Sequence, residues 1–432
     1  MGLIAFLFIS FFALCLIGIP VAVSLCISAF ATGLFVGITP IVMCQQIYAQ
    51  LDTFTLLAIP LFLLVGQIMD HGKVTERLVG FAHSLVGHIT GGLGHVNVVS
   101  NMIMAGISGS ATADAAALGG VMIPAMKKEG YPSDMAAAIN AAAATIGPII
   151  PPSIMMVVYG AYGSVSIAAL FTGGIIPGVV IGLTLMVVIY QWCKRNKFEV
   201  KEKRATFKEV LKATRKAIWS LLVPFIIIGG ILSGKFTATE SGMVAAIYSL
   251  VLVALIYRSC NFKDLIQVFK NALVGSAQPL LCIGGAGAFG YMMAYLRVPQ
   301  ILMQAAGPIV GNPILTLLFI TVLYIILGTF MDAIPAIVIF LPLVLEMAKA
   351  ANINSVHMGV LVTVVLCFGL LTPPYGMTLL LSSGIAGISA VRVIRALKWF
   401  YIVYIIIILV LIFVPDIILF VPKILVPSSF AT

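Results

Sequence analysis

The 432-residue sequence is 62% hydrophobic and only 9% charged, with a mean hydropathy of +1.18. No water-soluble core of that length can hide so much apolar surface, so a soluble enzyme or binding domain is excluded and an integral membrane protein is expected. The net charge of +10 comes from basic residues in short loops between apolar runs, without interleaved aromatics. It reports membrane orientation and not nucleic-acid binding.

A bilayer core of roughly 30 Å needs about 20 apolar helical residues. On that ruler Leu3 to Val36 reads as one long span kinked at Pro20. It has no basic n-region that would make it a cleaved signal. Phe54 to Met69 is a second span. From Lys73 to Gly94, Glu76, Arg77, His83 and His88 interleave with apolar residues at helical spacing, which predicts an interfacial connecting arm. Residues 95–127 are apolar but broken at Ser108-Gly109-Ser110-Ala111-Thr112-Ala113-Asp114. Each arm then has about 14 residues, too few to span, which predicts a re-entrant hairpin with its tip at mid-membrane. A broken span over 135–162, interrupted at Gly147-Pro148-Ile149-Ile150-Pro151-Pro152-Ser153, and a span from Ile167 to Trp192 complete a first half, residues 1–193.

The linker 194–216 holds ten Lys or Arg against three Glu, and the positive-inside rule puts it in the cytoplasm. The second half, 217–432, opens with a span from Ile218 to Leu232. Thr237-Ala238-Thr239-Glu240, a capping box, starts another span to Tyr257. Leu273 to Tyr295 spans next, Val298 to Val310 reads as a second arm, and residues 314–349 as a second hairpin with Gly328 to Asp332 at its tip. A broken span over 356–385, interrupted at Gly369-Leu370-Leu371-Thr372-Pro373-Pro374-Tyr375, and a last span from Leu397 to Phe420 close the chain. Threading the spans from the linker leaves only Lys235, Arg297, Lys349 and Lys423 of the 24 Lys and Arg outside. It puts the N-terminus in the cytoplasm, the C-terminus in the periplasm, and the hairpins on opposite faces. The expected fold is all-α, with two inverted-topology repeats.

Unwound backbone in lipid must line a cavity or coordinate something. Helix N-termini after each break suit an anionic group, whereas exposed carbonyls and hydroxyls suit sodium. The candidate sodium and substrate groups are Ser108, Gly109, Ser110, Thr112, Gly147 and Ser153 in the first half. Gly328, Thr329, Gly369, Thr372 and Met377 are their counterparts. Pro148, Pro151, Pro152, Pro373 and Pro374 make the breaks. Close helix packing by the glycines is the alternative reading. Asp114 and Asp332 are costly in a membrane and are expected to cap the return arms and preorganise the ion site. The seven cysteines form no C-x-x-C pair, so small core residues are expected rather than disulfides or a metal site.

The strings SGSATADAAALGGVMIPAMKKEGY, AATIGPIIPPSIMMVVYG, FTATESG, GTFMDAIPAIVIFLPLV and GVLVTVVLCFGLLTPPYGMTLLLSSGIA resemble the large membrane subunit of the tripartite ATP-independent periplasmic (TRAP) transporters, in the ion-transporter superfamily. The resemblance covers essentially the whole chain. It implies a bacterial inner-membrane, sodium-driven importer of organic acids such as sialic acid or C4-dicarboxylates. It also implies an elevator motion, a small four-helix membrane subunit and a periplasmic substrate-binding protein. Because nothing precedes Met1, the small subunit is expected as a separate chain. The resemblance maps sodium near Ser108, Gly109 and Gly147 and near Gly328, Gly369 and Thr372, with no organic cofactor and no enzymatic activity. Tyr375 departs from the Phe or Ile usual after the second double proline. A stand-alone sodium/carboxylate symporter and a plain channel are alternatives. An intramembrane aspartyl protease using Asp114 and Asp332 is disfavoured, since neither has the G-x-G-D context.

Overall fold

The computed structural model describes residues 2–198, 203–305 and 307–430, within which every regular element is helical. Residues 199–202 of the basic linker and Ala306 of the second arm lie outside the described residues.

The first half comprises α1 (Gly2–Leu16), α2 (Val21–Phe35), α3 (Pro40–Leu51), α4 (Ala58–His71, preceded by a 3-10 turn), α5 (Val74–Val86), α6 (Gly92–Ser108), α7 (Ala111–Lys128), α8 (Ser133–Ala144), α9 (Ile154–Gly163) and α10 (Ile167–Arg195). The second comprises α11 (Phe207–Leu232), α12 (Ala238–Val251), α13 (Phe262–Tyr295), α14 (Val298–Ala305), α15 (Gly307–Val310), α16 (Pro313–Phe330), α17 (Ala333–Ala350), α18 (Ser355–Gly369), α19 (Met377–Ala386), α20 (Ala390–Phe413) and α21 (Asp416–Leu425). Eight helices among the described residues are long and apolar enough to cross a membrane.

Several boundaries differ from the sequence expectation. Leu3 to Val36 is not one span. The chain turns at Gly18 (φ +95°) and Pro20, and α2 folds back on α1, so that the Phe6 and Phe35 rings meet at 5.1 Å. The flanks of this turn are apolar on both sides, which disguises a reversal as a kink. An antiparallel pair brings the N-terminus back to the side of Val36, which removes the single crossing on which the expected cytoplasmic N-terminus rested. The arms of the first hairpin have 17 and 18 residues instead of about 14, because α6 starts earlier, at Gly92, and α7 winds back into the tip to Ala111. α13 begins at Phe262 with an Asn261/Asp264 capping box, well before Leu273. Its 34 residues measure about 51 Å at 1.5 Å per residue, so its polar N-terminal part overhangs a bilayer. The last predicted span breaks at Pro415 into α20 and α21.

The Thr237/Glu240 capping box forms, with Glu240 Oε2 accepting from the Thr237 N–H (2.8 Å) and hydroxyl (2.9 Å). At the centre, Met135 to Ala144 of α8 and Val356 to Gly369 of α18 are buried throughout, as helices without a polar face must be. Each hairpin packs on the far segment of the other broken helix, α7 against α19 and α17 against α9. Alanine and glycine in α7 and α8 let these backbones approach closely. Around this centre α13 packs along α2, α3 and α4, whereas α10 and α20 flank α18 and α8.

Candidate functional site

At the first tip α6 ends at Ser108, Gly109 turns through a left-handed conformation (φ +61°), and Ser110 opens α7. A Cβ at Gly109 would lie 2.5 Å from the Pro152 carbonyl oxygen, so hairpin and break touch through main chain. The Ser110 hydroxyl accepts from the Ala113 N–H (3.4 Å) and lies 3.2 Å from Thr112 Oγ1. Ser108 Oγ donates to Asp114 Oδ1 (2.5 Å) and accepts from the Ser110 N–H (3.3 Å). Asp114 is fully buried, and its Oδ2 has no hydrogen-bond partner among the described residues. A Cβ at Gly147 would sit 2.6 Å from that oxygen. Past the break, with its cis Pro151-Pro152 bond, Ser153 caps α9 by accepting from the Met156 N–H (3.2 Å).

The second tip is joined to its break in the same manner. A Cβ at Gly369 would meet Gly328 Cα at 2.8 Å and its carbonyl oxygen at 3.2 Å. The Tyr375 N–H donates to the Thr329 carbonyl (3.0 Å). Thr329 Oγ1 donates to the Ile326 carbonyl (2.7 Å) and Thr372 Oγ1 to that of Gly369 (2.8 Å). A hydroxyl whose proton is so committed still offers lone pairs to a cation. Asp332 caps α17, accepting from the Ala333 N–H (2.8 Å). α19 opens at Met377 after Gly376, with no side-chain cap. Pro373 and Pro374, again a cis pair, are exposed, whereas Pro151 and Pro152 are buried.

The two tips converge. Gly109, Ser110, Thr112 and Pro148 from the first centre share one cavity of about 60 Å³ with Asp332, Ile334 and Leu370 from the second. The first residues of α7 and of α9 also line it, as does the first turn of α17. Three helix N-termini therefore open on one small space; the Asp332 carboxyl already meets that of α17, and those of α7 and α9 favour further negative charge there. One water needs roughly 10–15 Å³ of such space, so the cavity has room for a carboxylate-sized group. Ser108 and Asp114 instead border a separate cavity of about 110 Å³, facing Gly66, Gln67 and Asp70 of α4.

Residues 8–417 match the family model of the tripartite ATP-independent periplasmic transporter, DctM component. The chain belongs to this family. It is 40% identical over 372 residues to the sialic acid TRAP transporter large permease protein SiaM of Vibrio cholerae, covering 86% of this chain and 87% of that one. It is 35% identical over 405 residues to the 2,3-diketo-L-gulonate TRAP transporter large permease protein YiaN of Escherichia coli (93% and 95%). Identity to the C4-dicarboxylate TRAP transporter large permease protein DctM of Pseudomonas aeruginosa is 37% over 343 residues (79% and 80%).

The two conspicuous carboxylates of this TRAP permease are not equivalent. Asp332 is a helix cap, but Asp114 is not. Ser110 takes the cap of α7, and Asp114, one turn further on, holds the Ser108 hydroxyl. The expectation of capping by Asp114 is corrected accordingly. A protease dyad needs two carboxylates sharing one proton, whereas these border different cavities.

A buried amide network in the permease escaped the sequence reading. Asn140 Nδ2 donates to the Ala115 carbonyl and to Ser382 Oγ, both at 3.0 Å. Asn97 Nδ2 donates to Asn140 Oδ1 (3.4 Å), and Asn101 Nδ2 to Asn97 Oδ1 (2.9 Å). One side chain thus ties α6, α7, α8 and α19 together. The signal was an amide alone in an alanine run, which is costly unless bonded. Asn140→Ala should lower stability by about 1–3 kcal/mol, read as an earlier thermal transition of the detergent-purified protein. An unchanged transition would remove the network from the account of stability.

Proposed function

We propose that the chain is the large membrane subunit of a sodium-coupled importer of organic acids of the sialic acid or C4-dicarboxylate type. The observation that carries this reading is the cavity onto which the N-termini of α7 and α9 open beside the capped start of α17, which suits a solute carboxylate. Sodium would bind at each tip–break junction, using oxygens around Ser108, Gly109 and Gly147 and around Gly328, Gly369 and Thr372, where each coupling ion neutralises part of the solute's charge. Ser153 and Met377, at the starts of α9 and α19, would set where those helix ends point. The names of the relatives support the substrate classes.

The elements from hairpin to broken helix occur in the same order at 92–163 and 313–386, and we read them as inverted-topology repeats forming one transport body. This body would move as an elevator against a frame of α2, α4, α12 and α13. With the basic linker cytoplasmic and α1 paired with α2, both termini fall on the periplasmic side of the inner membrane. A small membrane subunit and a periplasmic binding protein complete the machine.

The test is reconstitution in liposomes with the small subunit and binding protein, using labelled sialic acid and succinate. Uptake of one solute should depend on an inward sodium gradient and fall to background with choline. Sodium-independent uptake would sink the coupling. Sodium-dependent uptake unaffected by omitting the binding protein would replace the tripartite reading with a stand-alone symporter.

A further inference from the structure

We propose that the groove between α5 and α11 is a binding site for the phosphate headgroup of an anionic phospholipid, clamped by Lys73 and Arg77 on one side and Lys212 and Lys216 on the other. The groove encloses about 640 Å³ and is lined by these four cations together with Glu76 and Glu209. Positive charge is in excess, and the two carboxylates are not equally available to cancel it. Glu209 is committed to the start of α11, where its Oε2 accepts from the Thr206 N–H (2.7 Å) and hydroxyl (2.9 Å). None of the four cations is ion-paired among the described residues.

Arg77 is held in place by packing. Its guanidinium carbon lies 3.8 Å from the centre of the Tyr257 ring, a cation–π contact that leaves the N–H edges available. Tyr257 is itself fixed to α11, through Ser220 (2.9 Å) and the Lys216 carbonyl (3.2 Å). A preorganised planar donor beside flexible ammonium groups is the combination that phosphate recognition uses.

The position along α11 favours a lipid as the source of that phosphate. The helix is basic from Lys208 to Lys216 and apolar from Ala217 onward, with Trp219 and Ile218 exposed at the change. An exposed tryptophan at such a boundary marks the headgroup level. Exposed Leu211, Leu255 and Phe262 supply apolar surface that acyl chains can cover. α5 also packs on the hairpin helix α6, so a headgroup shared by α5 and α11 would tether the arm that leads to the first tip.

The test uses the full chain in non-ionic detergent and native mass spectrometry with dioleoyl-phosphatidylglycerol, dioleoyl-phosphatidylcholine and inorganic phosphate as probes. Wild type should retain the glycerol lipid over the choline lipid. Lys212→Gln/Lys216→Gln should weaken that retention about thirtyfold, at roughly fivefold per removed charge. Arg392→Gln/Arg395→Gln, a basic pair elsewhere, should change nothing. If the groove double variant does not fold, Arg77→Gln gives the same readout at roughly fivefold. Equal retention by wild type and groove variant, or equal loss in groove and control variants, would overturn the site. Displacement of the lipid by an equal concentration of inorganic phosphate would overturn its assignment to lipid.

Discussion

Gly109→Ala is expected to cost about 3 kcal/mol or more and to abolish solute uptake. An L side chain in the left-handed region costs roughly 1–2 kcal/mol, and overpacking adds about 1–3. The obstacle is the Pro152 carbonyl oxygen, 2.5 Å from the new methyl, and main chain cannot swing aside as a flexible side chain would. The hairpin would have to lift off its break, opening the first tip–break junction. Thermal unfolding in detergent and uptake in proteoliposomes measure the two effects. Gly120→Ala is the control, because a Cβ there meets nothing within 4 Å and should be neutral or slightly stabilising in a helix. If Gly109→Ala behaves like Gly120→Ala, the junction is not tight.

Asp114→Ala should reduce uptake at least tenfold and destabilise the fold by about 1–3 kcal/mol, the cost of leaving a buried hydrogen-bonding group without its partner. It deprives Ser108 of its 2.5 Å acceptor and removes the partnerless Oδ2 that faces Gly147. Asp114 and Ser108 act as a unit at the tip. A double-mutant cycle with Ser108→Ala should therefore give a clear interaction energy. Strict additivity would mean that the two side chains do not position one another.

Much of this architecture was legible because membranes penalise irregularity. Glycine, serine, proline and aspartate inside apolar runs marked where helices end, within a few residues of the ends of Gly92–Ser108, Ala111–Lys128, Pro313–Phe330 and Ala333–Ala350. The Thr237/Glu240 box was readable because its chemistry is local. The α1–α2 reversal was not, since four residues between two apolar runs look alike whether the chain kinks or folds back. Nor was the exchange of roles between Ser110 and Asp114, which turns on where the helix starts by a single turn. Hydropathy carries no information on which oxygen faces which cavity, because that is decided by contacts such as α7 with α19. Asn140 was visible as an oddity, but its partners Ala115, Asn97 and Ser382 come from three other helices.

The joint at the second tip has a consequence for how such a permease can vary. Gly328 meets Gly369 by backbone contact, and Tyr375 reaches Thr329 through its amide proton alone. The identity of the side chain at 375 does not enter that bond. The hydrogen bond that joins hairpin to break there therefore needs only an amide proton at 375, which every residue but proline supplies. Closure of the seam thus draws on the backbone of residue 375 and leaves its side chain outside that bond.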